Sequence, residues 1–209
     1  MLKPIFTLLL AFGIYTAASA QTKGNTEFGI NVGLNTSTVF TNSGYGYYGY
    51  TNPDYRVGFN VGLTADHYFS DRWSLKAKLI YDQKGWNSGY ISFNDNSSYA
   101  TDYKLNYLTI PVMANWHFGR TRNWYLNFGP YIGILLNAKE SAKNTDVKPY
   151  INNPDGGLAV GIGVKFPIGE GSKFFIEYLG QGGVGDVFKN NFDSSVNNSV
   201  SSFNIGITF

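Results

Sequence analysis

The sequence has no cysteine and only two histidines among its 209 residues. The absence of cysteine excludes disulfides, thiolate catalysis and cysteine metal sites. Charged residues make up 14% of the chain, below the roughly 25% that is usual for soluble domains. The formal net charge is only +2 and no Lys/Arg cluster occurs, so we expect no nucleic-acid partner.

Beyond its first 20 residues, the sequence also lacks an apolar run of about 20 residues, the length that a transmembrane helix needs. An apolar stretch over residues 5–15 follows Lys3 and precedes the small residues 18–20. These are the features of a secretory signal peptide with a small-x-small cleavage site. We therefore expect residues 1–20 to be a signal peptide and residues 21–209 to form one mature domain.

The chain does contain eight segments with the two-residue period of a β-strand. Residues 57–65, for example, alternate strictly between apolar side chains and Gly, Asn or Thr. The eight segments are 28–36, 56–68, 73–85, 103–118, 124–136, 157–166, 173–180 and 203–209. In the fourth, Leu105 and Tyr107 are out of phase with the apolar row 108–118, which predicts a β-bulge near or before Pro111.

The connections between these segments alternate in length. The long ones are rich in Gly, Asn, Ser and Tyr and cover residues 37–55, 86–102, 137–156 and 181–199. The short ones are turns at residues 69–72, 119–123 and 167–172. Outer-membrane barrels have short periplasmic turns and longer external loops. We therefore predict an all-β fold, an eight-stranded antiparallel up-and-down transmembrane β-barrel.

Aromatic residues occur near the strand ends on the short-turn side. They are Phe28, Phe69, Trp73, Trp116, Phe118, Trp124, Phe166, Phe174 and Phe209. Such a one-sided row is typical of the girdle at a membrane interface, so the apolar rows are predicted to face outer-membrane lipid. The alternative is a soluble lipocalin-like ligand carrier with its apolar rows turned inward. That alternative would leave the Gly and Ala row 157–163 on the surface and would not explain the girdle.

Four motifs resemble the small outer-membrane β-barrel domain family that is often labelled porin-family or PorT-like. They are residues 29–34 (GINVGL), 105–112 (LNYLTIPV), 128–131 (FGPY) and the final FNIGITF, residues 203–209. The resemblance covers most of residues 21–209 and implies localisation in the bacterial outer membrane. It also implies that Phe209 is a signal for the outer-membrane assembly machinery. A narrow channel or a component of a secretion apparatus is a further function that it implies.

The predicted inward rows carry most of the charge of the strands. The inward charges are Arg56, Asp66, Lys76, Lys78, Asp82, Lys84, Lys165 and Glu177. An eight-stranded barrel is only wide enough for its own side chains, and unpaired charge inside it is costly. We therefore predict a polar, salt-bridged plug. The alternative is a narrow ion path lined by a surplus of lysine.

Catalytic and cofactor motifs are weak in this sequence. His67 and His117 lie near the periplasmic ends of the second and fourth segments with opposite parity. No Ser-His-carboxylate set is expected to converge on them, so we expect interface histidines and no enzyme activity. Residues 44–49 match G-x-G-x-x-G without the βαβ unit that binds dinucleotides. Residues 94–96 (NDN) lack the closing Glu of a calcium loop. We expect no metal and no cofactor.

The first long connection carries four closely spaced tyrosines, Tyr45, Tyr47, Tyr48 and Tyr50. Tyrosine offers a large contact area with few rotatable bonds and is favoured in binding surfaces. Contact with an extracellular protein or glycan is therefore a hypothesis, beside an ordinary interfacial aromatic belt. The predicted function is an integral outer-membrane barrel with a structural or surface-interaction role.

Overall fold

The computed structural model describes residues 23–43, 53–92, 98–189 and 194–209. Eight antiparallel strands close into one barrel in chain order, with the first strand paired to both the second and the last. The strands are β1 (Thr26–Ser43), β2 (Arg56–Tyr68), β3 (Trp73–Ser92), β4 (Ser98–Phe118), β5 (Trp124–Glu140), β6 (Asp155–Pro167), β7 (Lys173–Gly183) and β8 (Ser194–Thr208). A short 3-10 helix (Lys148–Tyr150) lies between β5 and β6. The predicted eight-stranded up-and-down barrel is confirmed.

The two-residue period decides which side chains point out of the barrel. On β2, Val57, Val61 and Leu63 are exposed on the outer wall, whereas Asp66 and Tyr68 are buried inside. The wall is closed near the last residue, where Phe28 and Phe209 exchange backbone hydrogen bonds of 3.0 and 2.8 Å. In the described part of the chain, no helix has the length and apolar character needed to cross a membrane.

Several strands continue well beyond the predicted segments. The strands β1, β3, β4 and β5 have 18, 20, 21 and 17 residues, whereas β7 has only 11. A tilted strand needs about 9–11 residues to cross a membrane, so these hairpins rise above the apolar rows on the long-connection side. The sequence pattern missed these extensions because their side chains are mostly polar and no longer alternate.

The bulge that was predicted near or before Pro111 is absent at Pro111 itself, but an irregularity does precede it, between Asn106 and Tyr107, where β5 and not β4 carries the extra residue. Alternate residues of β4, including Leu105, Tyr107 and Pro111, are buried in one unbroken inward row. The β3–β4 register is the same on both sides of Pro111, which lacks the N–H for a ladder bond but needs no extra residue. The observed register shifts lie higher, between Trp86 and Gly89 against β4 and between Asn106 and Tyr107 against β5.

Candidate functional site

The barrel interior collects the charges predicted for the inward rows. Seven of those eight residues are buried there: Asp66, Lys76, Lys78, Asp82, Lys84, Lys165 and Glu177. The eighth, Arg56, is half-buried toward the long-connection end, where its Nη1 donates to Oδ1 of Asn87 at 3.3 Å. Most partners of the seven buried residues lie on distant strands, so their side chains form clusters across the lumen.

Glu177 on β7 is the centre of the first cluster. Its carboxylate accepts a hydrogen bond from Lys76 Nζ at 3.2 Å and a second from Lys78 Nζ, both on β3. Tyr125 Oη and Asn127 Nδ2 on β5 donate to the same carboxylate at 3.1 and 3.0 Å. Because Glu177 has no exposed surface, these donors replace the water that an ionised carboxylate needs.

Lys165 on β6 is the centre of the second cluster. Its Nζ donates to Glu27 Oε2 at 2.7 Å, to Asp66 Oδ2 at 3.2 Å and to Tyr68 Oη at 2.9 Å. Lys173 Nζ lies 2.6 Å from the other carboxylate oxygen of Glu27. The sequence analysis missed Glu27 because its first segment began one residue later, although Glu27 has the inward parity of its strand.

Lys84 is the centre of a third cluster, closer to the long connections. Its Nζ donates to Gln181 Oε1 at 2.9 Å and lies 3.6 Å from Asp82 and 3.5 Å from Asp155. Asn35 Nδ2 also donates to Asp82, at 2.7 Å. Asp155 was missed by the sequence analysis because it falls in a segment that was assigned to a connection.

The buried charges inside the wall are nearly balanced. The cations are Lys76, Lys78, Lys84 and Lys165, and the anions that face them are Glu27, Asp66, Asp82, Asp155 and Glu177; Glu140 is buried as well but is bonded within its turn. The predicted surplus of lysine came from a set that lacked Glu27 and Asp155. With both included, four buried ammonium groups face five buried carboxylates.

The long-connection end of the lumen is apolar, whereas the sequence predicted a polar interior throughout. Trp86 stacks on Tyr103 with ring centroids 4.5 Å apart, and Phe188 meets both rings edge-on. The buried cluster consists of Val39, Trp86, Tyr103, Leu105, Tyr107, Leu135, Ala138, Val147, Ile151 and Val187. We call it the apolar cap. Its sequence signature was the out-of-phase pair Leu105 and Tyr107.

The carboxylate of Glu140, at the end of β5, organises the turn that follows. It accepts hydrogen bonds from the backbone N–H groups of Ala142, Lys143 and Thr145 at 2.7, 3.0 and 2.8 Å and from Thr101 Oγ1 at 2.8 Å. Burial opposes ionisation of Glu140, but hydrogen bonds led by the Thr145 backbone outweigh it and lower its pKa to about 2.

The two histidines point to opposite sides of the wall. His67 is exposed, with Nδ1 2.9 Å from Thr26 Oγ1. His117 is buried inside the barrel, so the expectation that both are interface residues is wrong for His117. Its Nε2 lies 3.2 Å from Ser74 Oγ and 4.0 Å from Asp66 Oδ2.

The three groups Ser74, His117 and Asp66 therefore converge, which the sequence analysis did not expect. A serine-histidine-carboxylate triad needs the serine and the carboxylate on different ring nitrogens. Here both face Nε2, and all three side chains are fully buried. The arrangement is that of a polar core cluster, without a nucleophile that a substrate could reach.

Aromatic rings form a row on the outer wall at the short-turn end. Trp73 stacks on Trp116, Trp116 on Phe118, and Phe118 on Trp124, with centroid distances of 6.3, 5.2 and 6.4 Å. Further round the wall, Phe166 stacks on Phe174 at 6.3 Å, and Phe69 is exposed in a turn. The structure thus places these seven of the nine predicted girdle residues at one end.

The predicted loop contacts Tyr45, Tyr47, Tyr48 and Tyr50 lie outside the described residues. The same holds for the G-x-G-x-x-G match at 44–49 and for residues 94–96. The connection tyrosines whose positions the structure does give include Tyr55 and Tyr150, which are 70% and 65% exposed. Aromatic side chains are thus presented to the exterior on more than one connection.

Comparison with known proteins gives the same architecture. The family model of the outer membrane protein beta-barrel domain matches residues 18–189. The chain resembles the outer membrane protein OprG from Pseudomonas aeruginosa at 14% identity, covering 91% of this chain and 98% of that one, with a TM-score of 0.53. It resembles Neisserial surface protein A (NspA) at 15% identity, covering 88% of this chain and 97% of that one, with a TM-score of 0.50. A comparison with curated proteins found no match.

Proposed function

We propose that this chain, which belongs to the outer membrane protein β-barrel domain family, is a closed barrel that acts through its external surface or as a structural element and conducts no solute. Its place is the bacterial outer membrane, as for the barrels that share its fold. The soluble lipocalin-like alternative is therefore wrong. The PorT-like part of the resemblance stays a prediction.

The observation that carries the proposal is that ion pairs join opposite walls of the barrel. In a ring of eight strands, β3 lies opposite β7 and β2 lies opposite β6. Lys76 and Lys78 on β3 bind Glu177 on β7, and Lys165 on β6 binds Asp66 on β2. Two diameters of the lumen are thus occupied by directly bonded side chains, so an ion would have to break buried ion pairs to pass.

Two further features support a closed barrel. The apolar cap fills the lumen above the ion pairs, and a dehydrated apolar constriction is itself a barrier to ions. The near balance of buried lysines and carboxylates removes the free cations that would attract anions into a narrow path.

Planar-bilayer recording tests the proposal. The protein is refolded, its fold is checked by heat-modifiable gel mobility, and a general porin is measured in the same bilayers as a control. We expect no discrete conductance steps from the folded chain. A Lys76→Ala/Lys78→Ala/Glu177→Ala variant, which lacks the cross-lumen pairs, should leak more ions. Reproducible steps from the unaltered protein would overturn the proposal.

For the external surface, we propose contact between the tyrosines of the first long connection and an extracellular protein or glycan. The proposal rests on the side-chain chemistry of Tyr45, Tyr47, Tyr48 and Tyr50 and on their place between β1 and β2. Cells that carry the Tyr→Ser variant at all four positions should adhere in smaller numbers to glycan-coated or protein-coated surfaces. Unchanged binding at equal surface expression would remove this idea.

A further inference from the structure

The outer wall changes character in three successive levels on β3, β4 and β5. An apolar level consists of Tyr81, Leu108 and Ile134, which are paired across the three strands, and Leu136 is exposed just above it on β5. Above it, an amide level consists of Gln83, Asn106 and Asn137, which lie two residues further on β3 and β4 and three residues further on β5, where the register shifts. Two residues further still, Gly85 is paired with Lys104, and Lys104 with Lys139. These levels mark the boundary between hydrocarbon and the polar exterior.

The geometry of the strands places the two lysines at the height of lipid headgroups. On β4 the outward row from Phe118 to Leu108 spans 10 residues, which at the usual tilt covers about 25 Å, the height of the apolar band of such barrels. Lys104 lies four residues above Leu108 on the same outward row, which is about 10 Å along the barrel axis. A lysine side chain can lower its ammonium group toward the headgroups by bending along the wall.

Lys104 and Lys139 are directly opposed on neighbouring strands, and both are exposed. Like charges in this position repel and destabilise a sheet. Within the ranges that the structure describes, neither side chain takes part in a hydrogen bond or an ion pair. An anion between the two ammonium groups would convert this repulsion into two favourable contacts.

Two acidic side chains on the neighbouring chain segments accept backbone N–H groups. The carboxylate of Asp102 accepts the backbone N–H of Ser88 at 3.2 Å. The carboxylate of Asp146, whose backbone is bridged to Lys139, accepts the backbone N–H of Lys148 at 2.9 Å. Lys148 adds a third ammonium group close by, because its Nζ donates to the carbonyl oxygen of Leu136 at 3.0 Å beside the amide level.

The lysine pair has no counterpart on the β1–β8 ladder. At the corresponding height on the β1–β8 ladder the outward pairs are Thr36 with Ser201 and Thr38 with Ser199, which are uncharged. A general attraction to anionic membranes would not require two lysines on one ladder rung. The localised pair is typical of a site for one anionic group.

We propose that Lys104 and Lys139 bind a phosphate group of an outer-leaflet glycolipid of the lipid A type. The position at headgroup height selects a lipid and not a soluble anion, and the paired ammonium groups match the charge and size of a phosphate. Gly85, beside Lys104, has no side chain to obstruct it. The site does not depend on whether the barrel conducts ions, so conductance and lipid binding can fail independently.

Urea unfolding in vesicles tests the site. The unaltered protein and Lys104→Gln/Lys139→Gln are compared in phosphatidylcholine vesicles with and without lipid A, with dephosphorylated lipid A and phosphatidylglycerol as further additions. Lys104→Arg/Lys139→Arg keeps the charges, and Lys23→Gln/Arg120→Gln removes the same charge at the opposite, short-turn end of the barrel, where both residues are exposed. We expect lipid A to raise the unfolding midpoint of the unaltered, Arg and control proteins. The Gln variant should lose this shift.

In phosphatidylcholine alone, the Gln variant should be at least as stable as the unaltered protein, because the repulsion is gone. That comparison also shows that the variant folds. An equal lipid A shift in the Gln variant would overturn the proposal, as would an equal shift from dephosphorylated lipid A. An equal shift from phosphatidylglycerol would overturn the assignment to lipid A.

Discussion

Removing the central carboxylate of the first interior cluster should destabilise the barrel strongly. In Glu177→Leu, the buried ammonium groups of Lys76 and Lys78 lose the carboxylate that they bind, and Tyr125 loses its acceptor. Breaking a buried ion pair by removing one partner costs about 3–5 kcal/mol. With a urea dependence of about 2 kcal/mol per molar, the unfolding midpoint should fall by roughly 2 M.

The assay is urea unfolding in phospholipid vesicles, followed by the fluorescence of the outer-wall tryptophans. Replacing the whole set, as Lys76→Met/Lys78→Met/Glu177→Leu, should recover most of the loss because no charge is left unpaired. The matched control is Asp71→Leu, which breaks the exposed ion pair with Arg122 and should cost no more than about 1 kcal/mol. The reasoning is refuted if Glu177→Leu and Asp71→Leu cost the same.

Three other predictions concern a turn, the chain end and a glycine. Because the pKa of Glu140 is lowered to about 2 from 4.5, its stabilisation of the turn should be complete above pH 4.5 and lost only as the pH falls toward 2; an NMR titration midpoint near 4.5 for the amides bonded to it would contradict this. Phe209→Ser should reduce the assembled fraction in outer membranes, seen as heat-modifiable gel mobility, and an unchanged fraction would count against the assembly role. Gly163→Ala should cost about 1–3 kcal/mol of unfolding free energy because a Cβ would overlap Tyr125. A Cβ added at Gly169 would have no atom within 4 Å, so Gly169→Ala should leave the stability unchanged. Equal losses of stability in the two variants, measured by urea unfolding, would refute the overlap with Tyr125 as the cause.

The strand faces were predictable because a wall between two environments imposes strict alternation. Asp66 has the same parity as Asn60 and Gly62 on its strand, Lys76 and Glu177 have the inward parity of theirs, and all three are buried inside the barrel. A one-residue shift in strand register would place every one of them in lipid, so the register is strongly specified. The sequence alone was therefore sufficient for the fold and for most inward charges.

The partners of those charges could not be predicted, because they lie on opposite walls. Lys165 meets Asp66 across 99 residues of chain, and no local pattern links them. The assumption that apolar residues must face lipid also failed for Leu105 and Tyr107, which belong to the apolar cap. In a barrel that extends beyond the membrane, the upper lumen has room for an apolar core of its own.

The account depends most directly on which face of the wall meets lipid. The chain has no native cysteine, so single cysteines at Val61 and Leu79, both exposed on the outer wall, can carry spin labels without a background. In outer-membrane lipid vesicles, we expect these labels to be relaxed strongly by dissolved oxygen and weakly by a water-soluble nickel chelate. Labels that respond mainly to the nickel chelate in correctly folded protein would contradict the account.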